Sequence, residues 1–219
     1  MDINGKIISF LGDSITEGVG VADQNNRYDN RLLGRYAIKT FNYGISGTRI
    51  SYQSKPCYPC GNPQFDLYFC GRCTKINPKS DVIVVFGGTN DYGHGDAPFG
   101  SFEDTMPDTY CGAVRYLMRK LKELYPNAKL VFMTPARRQG CDTVKAPVSP
   151  DKKMLIDYVD AIIKIAGDEN VSVLDLYRNL GINPEIESER TKYTADGLHF
   201  NDLGHGVIAD KLDEFLATL

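Results

Sequence analysis

The chain has 219 residues, 42% of them hydrophobic and 24% charged, with a formal net charge of −3. That length and apolar content suit one domain over residues 1–219 with a full core, and the small negative charge supplies no global field that would draw the chain to nucleic acid. No apolar run approaches a membrane span, and no basic, apolar, small-residue leader precedes the first strand pattern, so a cytoplasmic protein is expected.

The first β-like run, Lys6–Leu11, is apolar and passes straight into Gly12-Asp13-Ser14. A second, Phe41–Tyr43, is followed by Gly44-Ile45-Ser46-Gly47. From about Ser51 to Ser80 the rhythm breaks into Pro, Gly, Asn and four cysteines with no clear period. Such a stretch is too long for a plain connector and predicts an inserted loop or subdomain at about 51–80. Its aromatic residues Tyr52, Tyr58, Phe65, Tyr68 and Phe69 are expected to pack it against the main body. Cys57-x-x-Cys60 and Cys70-x-x-Cys73, nine residues apart, offer four thiolates for a structural zinc ion. Two disulfides or unligated thiols compete with that reading, and a cytosolic chain disfavours the disulfides. A Cys₄ site has no open coordination position, so any zinc is expected to be structural and none is expected in catalysis.

Val82–Phe86 is the third run and leads into Gly87-Gly88-Thr89-Asn90-Asp91, with His94 just beyond in a glycine-flanked segment. Tyr110–Leu124 places Val114, Leu117, Met118, Leu121 and Leu124 on one helical face and is stopped by Pro126. The fourth run, Lys129–Met133, is followed by Thr134-Pro135-Ala136-Arg137-Arg138. Ser149-Pro150-Asp151 signals the start of a helix burying Leu155, Ile156, Val159, Ile162 and Ile163. After the fifth run, Val171–Leu174, a long connection reaches Asp196-Gly197-Leu198-His199 and a last helix, Leu203–Leu216. Strands alternating with helices predict a parallel sheet covered on both faces.

Ligands of open parallel sheets bind beyond the carboxyl ends of the strands, and the polar and glycine-rich segments all fall at that edge. Ser14, His199 and Asp196 together offer acyl-transfer chemistry. Ser14 is a weak nucleophile until a base takes its proton, His199 can do so, and Asp196 can fix the imidazole tautomer. Gly47 can present a backbone N–H and Asn90 an amide to a developing oxyanion. Asp13 and Asp91 are expected to brace their own loops. His94 is a possible substrate contact, and Arg137 or Arg138 could hold an anionic part of a substrate. His205, opening the last helix, is expected to be structural.

These motifs resemble the SGNH hydrolases, also called the GDSL esterase/lipase family. The matching segments are Gly12-Asp13-Ser14-Ile15-Thr16-Glu17, Gly47 within Asn42–Gly47, Gly88-Thr89-Asn90-Asp91, and Asp196-Gly197-Leu198-His199. The resemblance implies a flavodoxin-like three-layer α/β/α fold with a five-stranded parallel sheet and a Ser14–His199–Asp196 mechanism. It implies an oxyanion hole made by the N–H groups of Ser14 and Gly47 with the Asn90 side chain. Ser14 does not sit in a Gly-x-Ser-x-Gly elbow, so the ordinary α/β-hydrolase pattern fits poorly. The expected substrate is a small-molecule ester with a short acyl group, sugar O-acetyl esters among them. An acyltransferase using the same serine and a noncatalytic binding module with this fold are the alternatives. The Ser51–Ser80 insert is the departure that bears on substrate access.

Overall fold

Five parallel strands form one sheet, ordered β2-β1-β3-β4-β5, in the computed structural model, which describes residues 1–143, 151 and 153–219. The strands are β1 (Ile7–Gly12), β2 (Lys39–Gly44), β3 (Val82–Phe86), β4 (Lys129–Met133) and β5 (Ser172–Leu174). β3 is buried along its whole length because it lies mid-sheet with both faces covered, which is why Val-Ile-Val-Val-Phe shows no polar alternation. β2 is an edge strand and alternates between exposed and half-buried positions. It extends beyond the expected Phe41–Tyr43 because pairing with β1 recruits Lys39 and Gly44, residues with no strand signal of their own.

Residues Ile83, Val85, Leu130 and Phe132 face one layer of the core, whereas Ile8, Phe10, Val84 and Met133 face the other. This is the period-2 alternation of a pleated sheet used on both sides. The helices are α1 (Ser14–Glu17), α2 (Tyr28–Leu33), α3 (Phe69–Arg72), α4 (Thr89–His94), α5 (Tyr110–Leu124), α6 (Leu155–Glu169), α7 (Leu176–Asn179), α8 (Glu187–Tyr193) and α9 (Asp202–Ala217). The α5 and α6 stripes bury Val114, Leu117, Leu121, Val159 and Ile162 in the first layer. Tyr28 and Leu32 of α2 and Ile208 and Leu212 of α9 enter the second.

Capping explains the helix limits. The Thr109 hydroxyl accepts from Gly112 N at the start of α5, and the Asn201 amide oxygen accepts from Leu203 N and Gly204 N at the start of α9. For α6, the Asp157 carboxylate accepts from Met154 N at 2.9 Å. The start expected at Ser149-Pro150 lies outside the described residues. Among the described residues no helix is long and apolar enough to cross a membrane.

Residues 51–80 contribute Phe69, Cys70, Cys73 and Ile76 to the same cluster as α5 and α6. The Tyr125 hydroxyl ties them down, donating to Cys73 O at 2.8 Å and Ile76 O at 3.1 Å. The four cysteines of the expected zinc site are not gathered around one point. Cys70 and Cys73 are buried, their thiols donating to Ala113 O and Cys70 O, whereas Cys60 is exposed and Cys57 sits beside Asp66. Among the described residues, the one group of potential ligand atoms within 4.8 Å of one another is Cys141, Asp142 and Glu185, which includes none of the four. Two of the four cysteines, Cys70 and Cys73, are buried as small core residues.

Candidate active site

The strand order reverses at β1, so the crevice at the carboxyl ends of β1 and β3 is the topological switch point. Ser14 follows β1 and Asn90 follows β3, and the fold brings both to that crevice. At the first turn of α1 the Asp13 carboxylate accepts from Ile15 N at 3.0 Å, capping the helix that begins with Ser14. Asp13 is buried, and burial pushes its carboxyl up to about 7 despite the Ile15 N–H and the nearby Arg72 cation.

His199 and Asp196 sit in a tight turn closed by an antiparallel bridge between Thr194 and Phe200. The Thr194 hydroxyl accepts from Gly197 N at 3.0 Å inside that turn. Asp196 Oδ1 accepts from the backbone N–H groups of Leu198 at 3.0 Å and His199 at 2.7 Å. Asp196 Oδ2 lies 2.7 Å from His199 Nδ1, and His199 Nε2 lies 2.9 Å from Ser14 Oγ. A carboxylate is an acceptor only, so Nδ1 carries the proton and Nε2 is left to accept from the serine hydroxyl. Burial pulls the Asp196 carboxyl up, but the His199 backbone and ring N–H groups outweigh it and hold it below its ordinary value.

Gly47 adopts φ +75, and a Cβ there would lie 1.9 Å from Phe65 Cε1. The position therefore requires glycine both for its left-handed backbone and for the insert's aromatic ring pressed against it. The Asn90 side chain donates to Thr48 O at 3.0 Å, and its Oδ1 lies 3.2 Å from His94 Nε2. On the other side of that ring, Arg49 Nη2 donates to His94 Nδ1 at 2.6 Å. Because arginine only donates, Nδ1 must accept, which leaves the ring proton on Nε2 to be donated to Asn90. His94 thus holds Asn90 through one nitrogen and is held by Arg49 through the other. Asp91 is expected to brace its own loop, but among the described residues it accepts from Ile50 N, Ser51 N and Ser51 Oγ and so braces the start of the insert.

A cavity of about 270 Å³ opens over Ser14 and His199, with Gly47, Asn90 and His94 in its wall. Val19, Phe65 and Leu198 supply apolar surface, and Arg138 supplies a guanidinium. Arg137 is not part of this wall. It pairs with Asp142 at 2.9 Å, donates to Asn183 at 3.3 Å and stacks on Tyr177, so of the two adjacent arginines it is Arg138 that faces the cavity.

Sequence reasoning missed Arg49 and Arg72. Arg49 is fully buried, donating to Tyr58 O and Phe65 O as well as His94. Arg72 donates to Gly12 O at 2.6 Å, to Thr48 Oγ1 at 3.0 Å and to Tyr43 O, tying the insert to the ends of β1 and β2. Burial pulls the Arg72 guanidinium down to about 10. Neither position carries a motif, and the contacts that define them are long-range.

The architecture places this molecule among flavodoxin-like α/β proteins, with a hydrogen-bonded serine, histidine and aspartate at the switch point. The chain belongs to the GDSL-like lipase/acylhydrolase family, whose model matches residues 10–207. It is similar to a protein of known structure from Lactobacillus plantarum, with 30% identity over 99% of each chain and a TM-score of 0.84. A lipase/acylhydrolase from Enterococcus faecalis is 18% identical, with a TM-score of 0.60 over 95% of this chain and 94% of its own. A two-domain esterase active on acetylated mannans is also 18% identical, with a TM-score of 0.60 over 97% of this chain and 49% of its own. At that identity the last two speak for the fold alone. No curated protein matches the sequence significantly.

Proposed function

We propose that this protein is a serine esterase that hydrolyses short-chain acyl esters, carbohydrate O-acetyl esters among them, through an acyl-enzyme. The observation that carries the reading is the continuous run from Ser14 Oγ to His199 Nε2 at 2.9 Å and from His199 Nδ1 to Asp196 Oδ2 at 2.7 Å. Family membership supports ester hydrolysis as the reaction class.

His199 Nε2 takes the Ser14 proton as Oγ attacks the carbonyl carbon, and Asp196 stabilises the imidazolium that forms. The oxyanion is received by the N–H groups of Ser14 and Gly47 and by the Asn90 amide. Collapse breaks the C–O bond, and the departing alkoxide takes the proton from His199. Water then attacks the acyl carbon, giving a proton to His199; the bond from the acyl carbon to Ser14 Oγ breaks, Oγ takes that proton back from His199, and the carboxylic acid leaves. No step requires a metal. Hydrolysis of short-chain nitrophenyl esters is the test. We expect activity that persists in a chelator and falls about 10⁴–10⁶-fold in kcat for Ser14→Ala. Wild-type turnover in Ser14→Ala would remove the serine mechanism.

A further inference from the structure

Arg138 is a cation in the wall of the catalytic cavity whose hydrogen-bonding capacity is largely unused. A guanidinium has five N–H donors. Among the described residues Arg138 forms one hydrogen bond, a 3.3 Å contact from Nη1 to Thr89 Oγ1, and its buried Nε has no partner. Its other neighbour is the Tyr92 ring, 5.9 Å from the guanidinium carbon. No carboxylate pairs with it among the described residues, whereas Arg27, Arg35, Arg115, Arg119, Arg137 and Arg178 are each within salt-bridge distance of one.

The neighbourhood makes room for this group. A Cβ on Gly93 would come within 3.1 Å of Arg138 Nη1, so the glycine in α4 leaves space for the guanidinium. Among the described residues no Asp or Glu lines the cavity. Burial pulls the Arg138 guanidinium below its ordinary value, the direction expected of a cation held out of water without a full set of partners. A planar carboxylate would supply the missing acceptors in the paired geometry that guanidinium favours.

We propose that Arg138 selects esters that carry a carboxylate close to the scissile bond. The inference rests on the esterase reading and deepens it. Bond making and breaking are unchanged: Arg138 forms no covalent bond and moves no proton, but binds the substrate carboxylate while Ser14 attacks the ester carbonyl.

The test compares isosteric pairs, with acid release followed by titration at constant pH. Monomethyl glutarate against methyl hexanoate places the charge on the acyl side. γ-Acetoxybutyrate against pentyl acetate places it on the alcohol side. In one arm the anionic ester should have a kcat/KM about tenfold or more above its neutral isostere. That preference should shrink as ionic strength rises, because the cavity is open to solvent. Arg138→Gln should reduce the anionic-to-neutral ratio about tenfold, and Arg138→Lys should retain part of it as a point charge without the planar fork. The wild-type ratio and its salt dependence stand whether or not the variants fold. Neutral esters hydrolysed as well as anionic ones in both arms would overturn the proposal and leave the esterase intact. A preference that survives in folded Arg138→Gln would overturn it too. Failure to hydrolyse any of the four esters would bring down both readings.

Discussion

His94 illustrates how a single side chain acquires its role from both of its nitrogens. Arg49 donates to Nδ1, and this fixes the ring as the tautomer that donates from Nε2 to Asn90 Oδ1. With its oxygen held there and one N–H spent on Thr48 O, the Asn90 amide has a second N–H, which the proposed mechanism assigns to the oxyanion. Removing one oxyanion donor elsewhere costs about 10²–10³ in kcat, and disorienting one should cost a part of that. His94→Ala is therefore expected to lower kcat about 10-fold to 100-fold with a smaller change in KM. His94→Gln, which keeps an N–H donor, should recover part of the loss. Steady-state kinetics with circular dichroism decides: an unchanged kcat in a folded His94→Ala protein would remove His94 from the oxyanion network. The Gly-Asp-Ser and Asp-x-x-His motifs carried the triad in the sequence because each is local. The Arg49–His94–Asn90 chain was not legible, because it joins three segments through side chains whose neighbours only the fold defines.

Element by element, α1 and α9 each carry a buried titratable group, Asp13 and His205, and the two have opposite pH behaviour. Asp13 caps α1, and burial raises its carboxyl from 3.8 to about 7 in the folded chain. Between those values the folded state binds more protons than the unfolded state, so this contribution to stability is full below pH 3.8 and lost as the pH rises through about 7. His205 lies in α9, where its Nδ1 accepts from Tyr28 N at 3.2 Å and its ring stacks on Tyr28. Burial lowers it from 6.5 to about 4, so its contribution is full above pH 6.5 and lost as the pH falls through about 4. Over the shared window the two partly offset. Urea titrations between pH 4 and pH 7 should show that Asp13→Asn makes stability fall more steeply on acidification, whereas His205→Gln makes it fall less. Parallel slopes for wild type and both variants would contradict the assignment. The expectation that His205 is structural was readable from its place at the start of an amphipathic helix. Its partner helix α2 was not, because Tyr28–Leu33 is too short for a periodic signal.

Across the whole molecule, the alternation of strands and helices fixed a parallel sheet, and the structure adds how the insert completes it. Residues 51–80 have no period to read because their order comes from contacts elsewhere: Phe69, Cys70 and Cys73 pack beneath α5, and Phe65 presses on Gly47. The insert is held by core burial and by Arg49 and Arg72. Cys70→Ala and Cys73→Ala should each cost about 1–2 kcal/mol in urea unfolding, as buried groups do. Cys57→Ala and Cys60→Ala should stay within about 0.5 kcal/mol. Four similar, large losses would instead indicate shared ligation of one ion. The same insert also supplies the Phe65 side of the cavity, so the part least legible in the sequence is the part that shapes substrate access. The central claim is that Ser14 is the nucleophile of this cavity. Reaction with an alkyl fluorophosphonate, followed by intact-mass measurement and peptide mapping, tests it most directly. The account predicts one phosphonyl adduct per chain, on Ser14, forming far more slowly in His199→Ala. An unmodified Ser14 after prolonged exposure, or labelling of Ser14 at the same rate without His199, would contradict it.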